Sequence, residues 1–145
     1  MVSELDDALD ELSGPGTISV DRDGHRAEVD VVDADRLGVS IRRLRVERER
    51  PVDVVDEAHA LPERLRSLPE RVRAVEIDPH LGGSVLRTEP DDLRDDEFFE
   101  VQVRPDHTEV RRTRVTDDGD RQGADFTLTR QQLDRLIDEA AGPRS

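Results

Sequence analysis

Apolar residues recur along this chain in two rhythms. Between Val52 and Val72 they fall at Val54, Ala58, Leu61, Leu65, Leu68 and Val72, in steps of four and three with charged residues between them. That is the period of one face of a helix. Pro62 and Pro69 interrupt it. A proline lacks the N–H and its ring presses on the carbonyl four residues back, yet it is accepted at the first position of a helix. The pattern predicts a helix over residues 52–60, then one or two short turns restarting at the prolines, within a central helical segment of residues 52–73. Two further stretches share the rhythm. Leu5, Ala8, Leu9 and Leu12 predict a helix over 3–13, with Ser3 as its N-cap and Gly14-Pro15-Gly16 as its stop. Leu133, Leu136, Ile137 and Ala140 predict a helix over 130–141. Thr129 and Gln132 there have the spacing of a capping box, Leu128 and Leu133 that of a hydrophobic staple, and Gly142 closes the helix.

The second rhythm has a period of two, as in a half-buried strand. Residues 17–47 read as a three-stranded meander: Thr17–Val20, then Ala27, Val29 and Val31, then Leu37, Val39 and Ile41. After Ile41 the apolar phase slips by one to Leu44 and Val46. An uncorrected slip would turn that set to the opposite face, so a β-bulge is expected around Arg42-Arg43. Residues 74–128 form a second β-rich half, with strands around Val75–Ile77, Val85–Leu86, Phe98–Val103, Thr108–Val115 and Phe126–Leu128, and an acidic connector at Glu89–Asp96. The expected class is α+β: antiparallel sheet, in one piece or two, with an N-terminal helix, a Pro-interrupted central helix and a C-terminal helix. A length of 145 residues fits one domain, 1–145.

Composition narrows the environment. The chain is 33% hydrophobic and 40% charged, with three Phe and neither Tyr nor Trp. The periodicity of its apolar residues argues against disorder, with fraying expected only at Met1 and Pro143–Ser145. Every basic residue is Arg, and Asn is missing, which is a compositional bias of GC-rich coding. The net charge of −14 is spread along the chain, a pattern that also suits a high-salt, halophilic cytoplasm where self-repulsion is screened. It argues against nucleic acid and anionic membranes as partners. No run of 18 apolar residues predicts a membrane span, and the first residues lack a secretory signal pattern, so a cytoplasmic location is expected. The absence of Cys excludes disulfides and thiolate chemistry.

No motif for catalysis, metal or cofactor emerges. Asp21-x-Asp23-Gly24 and Asp117-Asp118-Gly119-Asp120 read as turns, since neither has calcium-loop spacing. His25, His59, His80 and His107 are dispersed, and a site from Asp78, His80, Asp106 and His107 is not predicted. Gly82-Gly83-Ser84 is too short for a phosphate loop, and no serine sits in a nucleophile elbow. Two arginine groups stand out: Arg42, Arg43, Arg45, Arg48 and Arg50, and Arg111, Arg112 and Arg114. If their strands are neighbours, Arg43, Arg45, Arg112 and Arg114 would form a basic stripe for a carboxylate-rich or phosphate-bearing partner. The competing reading is internal pairing with Glu47, Glu49, Glu100 and Glu109.

The order helix, three strands, helix, strands, helix, with the small size and a pI near 4.6, resembles the type III secretion chaperone-like architecture. That resemblance implies a middle helix at a dimer interface and a sheet offering apolar patches to an extended client. The first expectation is therefore a non-enzymatic acidic protein-binding or chaperone-like domain, binding a protein client or itself as a homodimer through Val54, Ala58, Leu61, Leu65 and Leu68, with no cofactor. The alternative is a monomeric small-ligand or regulatory domain that uses the arginine stripe.

Overall fold

A computed structural model describes residues 4–78, 80, 82–88 and 97–142. The expected Ser3 cap, the Glu89–Asp96 connector and the fraying termini lie outside the described residues. Among those residues the order is α1 (Glu4–Glu11), β1 (Gly16–Arg22), β2 (His25–Ala34), β3 (Gly38–Arg48), α2 (Val54–Arg64), β4 (Val72–Asp78), β5 (Gly83–Thr88), β6 (Glu97–Val103), β7 (His107–Val115), β8 (Arg121–Ala124), β9 (Phe126–Thr129) and α3 (Arg130–Ala141). The class is α+β, as the alternation of rhythms predicted. The two β-rich halves join in one antiparallel sheet, β1-β2-β3-β7-β6-β5-β4, with β8 on β7 and β9 on β3.

Alternation gives this sheet two unlike faces. Ile18, Val29, Leu44, Val110, Val101 and Leu86 point to one side. There they share a single core with Leu5 and Leu9 of α1, Ala58 and Leu61 of α2, and Leu133, Leu136 and Ile137 of α3. Intervening strand residues face away from this core and are mostly charged. Phe99 and Phe126 meet edge to face at 5.0 Å, the preferred geometry of paired quadrupoles.

Each half of the phase slip is visible. Asp30 pairs with Arg43 but Val31 with Ile41, so Arg42 is the extra residue on β3; Val32 is then the extra one on β2. Gly24 turns β1 into β2 at φ 86°, a left-handed value that only Gly takes readily. α3 begins as expected: Thr129 Oγ1 accepts from the Gln132 N–H (3.0 Å), and Gln132 Oε1 accepts from the Thr129 N–H (2.8 Å). Replacing Thr129 with Ala should cost about 0.5–2 kcal/mol, read as a lowered urea midpoint with unchanged slope.

Three expectations need correction. The central helix does not stop near residue 60: Asp53 caps it through the Val55 and Asp56 N–H groups, and it runs through Pro62 to Arg64. Pro62 removes only the bond to Ala58, and the helix ends within a turn of it. No second turn restarts at Pro69. Residues 65–71 are irregular, and Val72 opens β4 instead of closing the helical segment. β8, Arg-Gln-Gly-Ala, was not expected, because its only buried residue is Ala124. His25 opens β2 and is buried, with Nε2 3.2 Å from Asp138. No helix among the described residues is long and apolar enough to cross a membrane.

Candidate functional site

The helical stripe expected to receive a partner is spent on the chain's own core. Val54, Ala58, Leu61, Leu65 and Leu68 are all buried, at 7% exposure or less. α2 lies over β4, β5 and β6, and its apolar face points inward. Any contact made through these five side chains would first require lifting the helix off the sheet.

The arginine groups fare differently. β3 and β7 are direct neighbours, with Leu44 opposite Val110 and Arg43 opposite Arg111. Strand alternation then divides the expected stripe. Arg43, Arg45 and Arg111 stand on the face away from the helices. Arg112 and Arg114 share the other side with buried Val110 and Thr108. There the Arg112 guanidinium covers the Phe99 ring at 4.6 Å. Glu97 accepts from Arg112 Nε (2.7 Å) and Arg114 Nη2 (2.5 Å). These two bonds hold the Glu97 carboxyl below the ordinary carboxylate range. A group whose folded pKa is depressed contributes stability above its unfolded pKa, lost as pH falls through the folded value. Wild type should therefore lose thermal stability more steeply than Glu97→Gln below about pH 4.3.

On the open face, register builds a charged row across five strands: Asp30, Arg43, Arg111, Glu100 and Arg87. Arg43 Nε lies 3.1 Å from Asp30, close enough for ion pairing but outside hydrogen-bonding alignment. Glu109, only 9% exposed, accepts from Arg43 Nη1 (3.2 Å) and from Arg111 Nη2 (3.0 Å). One carboxylate thus holds two guanidiniums that stand directly opposite each other, an arrangement that costs stability when uncompensated. Glu100 is likewise shared. It accepts from Arg87 Nε (2.9 Å) and lies 3.7 Å from Arg121.

The sheet forks at this point. Arg43–Arg111 is the last pair between β3 and β7; beyond it β3 pairs with β9 and β7 with β8. Asp125, between β8 and β9, accepts from Arg42 Nε at 3.0 Å. At the fork lies a cavity of about 400 Å³, whose lining includes Arg42, Arg43, Arg111, Arg121, Thr113 and Gly123. With Arg112, five arginines line it against two carboxylates, Asp30 and Glu100, on a chain of net charge −14.

A second hollow, about 370 Å³, lies beside the end of α3, but its half-buried Arg48 is committed. Arg48 donates to Arg104 O (2.5 Å), Thr108 Oγ1 (2.6 Å), Pro105 O (3.4 Å) and Ala140 O (3.5 Å). It clamps three segments together. Among the described residues no group of three or more His, Asp or Glu is placed to hold a metal ion.

Sequence reasoning named Arg43 and Arg45 but chose Arg112 and Arg114 over Arg111, and missed Arg121 and Gly123; of the carboxylates it offered for internal pairing, Glu47, Glu100 and Glu109 do hold arginines. The period-two signal was present: counting from Val110 puts 111 and 113 on the face opposite to 112 and 114. Arg121 gave no signal, since β8 has no apolar alternation. Family models, curated proteins and solved structures yield no match to this chain.

Proposed function

We propose that this is a non-enzymatic binding domain that works as a monomer and takes a small anionic ligand in the arginine-lined cavity at the fork of the sheet. The observation that carries this reading is the convergence of Arg42, Arg43, Arg111 and Arg121 from three strands onto one concavity of an otherwise acidic chain. The volume falls within the range of small-molecule sites, roughly 300–1,000 Å³. The lining offers guanidinium, amide and hydroxyl donors, the groups that recognise carboxylate and phosphate oxygens. Its arginines are pre-oriented by shared carboxylates, so less freedom is lost when a ligand arrives.

A chaperone-like role toward an apolar client has less support. Its expected seam is buried, and the large apolar residues exposed among those described are Leu37, in the β2–β3 turn, and Val75, on edge strand β4. These two do not make a patch of the kind that binds a hydrophobic segment.

The test is a titration with citrate and with pyrophosphate, followed through the arginine Nε–H resonances. Saturable shifts concentrated at Arg42, Arg43, Arg111 and Arg121 are expected. Shifts scattered over all arginines, or following ionic strength alone, would overturn the proposal.

A further inference from the structure

We infer that the cavity seats a phosphate group, carried by a small molecule, over Gly123 and between the guanidiniums of Arg111 and Arg121; this rests on the binding function proposed above. Thr113 and Gly123 are paired across β7 and β8. They lie on the same face as Arg111, two residues before Thr113, and Arg121, two residues before Gly123. The two arginines therefore approach the Thr113–Gly123 pair from opposite ends. Nothing lies within 4 Å of where a Gly123 side chain would begin. Gly123 is exposed, so its backbone is bare on this face, and a branched side chain there would stand in the open space between the two arginines.

Donor capacity is free at this spot. Arg111 is 53% exposed and spends one nitrogen on Glu109. Arg121 is 56% exposed; its contacts are the 3.7 Å approach to Glu100 and a position over the Phe98 ring. Arg43, by contrast, is held between Asp30 and Glu109 and serves as the fixed wall. The ligand geometry follows. A planar carboxylate is satisfied by one guanidinium fork. Two guanidiniums from opposite sides, with the Thr113 hydroxyl available between them, suit a tetrahedral oxyanion with acceptors in three directions. A phosphate monoester also carries nearly two negative charges at neutral pH, which suits two guanidiniums whose carboxylates are each divided with another arginine: Glu109 serves Arg111 and Arg43, and Glu100 serves Arg121 and Arg87.

Calorimetry with inorganic phosphate, pyrophosphate and citrate tests this on wild type, Arg111→Gln, Arg121→Gln and Gly123→Val. The last removes no charge and inserts a good strand former into open space, so its fold should persist by circular dichroism. Phosphate and pyrophosphate should saturate wild type, and each variant should bind roughly tenfold more weakly or worse. Citrate binding without phosphate binding would overturn the phosphate seat while leaving the anion site standing. No binding of any of the three would overturn both. Undiminished phosphate binding by Gly123→Val and the arginine variants would show an adventitious ion only, bound elsewhere.

Discussion

Leu61→Ala should lower the free energy of unfolding by about 2–5 kcal/mol, and Leu65→Asp should abolish the folded state. Leu61 is fully buried and Leu65 nearly so, at the point where α2 gives way to the irregular segment before β4. The expected cost of the first change combines lost transfer energy with the cavity left under the helix. The second would bury a carboxylate with no cation in that cluster, which proteins avoid by not folding. Both results can be read by urea denaturation followed by circular dichroism. A seam between two subunits would behave differently. Leu65→Asp would then yield a folded, more readily dissociating or monomeric species, and light scattering would separate that outcome from an unfolded chain.

A comparable loss is expected from Glu57→Ala, for an electrostatic reason. Glu57 is 4% exposed although it is a carboxylate on a helix. Its Oε2 accepts from Arg64 Nη2 at 2.5 Å, and Arg64 Nε donates to Glu139 O at 2.7 Å. Gly142, at the end of α3, sits so close above that a Cβ there would lie 3.2 Å from Glu57 Oε2. The pair fastens α2 to the C-terminal end of α3, where exposed carbonyls favour a cation. Removing Glu57 alone leaves Arg64 partly buried without its carboxylate and takes one of two nearby carboxylates from Arg48, a change that costs about 3–5 kcal/mol where burial is deep. Arg64 is about a quarter exposed, which puts the expectation at the lower end of that range. The double variant Glu57→Ala/Arg64→Ala should be less destabilised than the sum of the singles, and additive losses would contradict the coupling.

The same two kinds of residue explain what could be read from the chain. The α3 helix was legible to its ends because cap, staple and stripe all agree there. The bulge at Arg42 was legible because Ile41 and Leu44 must reach the same core. The course of the chain from Leu65 to Val72 was not. Leu65, Leu68 and Val72 keep a helical spacing, yet they reach the core from irregular backbone and from the start of a strand. Spacing specifies which residues are buried and leaves open the backbone that buries them. The site was half legible for a related reason. The arginines were conspicuous, but their partners depend on which strands meet. The β3–β7 pairing brings together residues separated by 60 to 68 positions, and the fork that opens the cavity depends on the tertiary path of β8 and β9. Arg111 was recoverable from parity alone; Gly123 was recoverable only once β8 was seen lying beside β7.

The central claim is that the open face, through its fork, is the working surface of the protein, while the helical face is structural. Urea unfolding of wild type and Arg111→Gln, each with and without saturating pyrophosphate, tests it most directly. A ligand that binds only the folded state raises its stability in proportion to the logarithm of ligand concentration over Kd. Arg111→Gln alone should be near neutral in stability, because it loses one contact to Glu109 but also relieves the opposed Arg43–Arg111 pair. The account predicts that pyrophosphate stabilises Arg111→Gln less than wild type, by about 1.4 kcal/mol for each tenfold loss of affinity. Equal stabilisation of both proteins would place the anion elsewhere and contradict it.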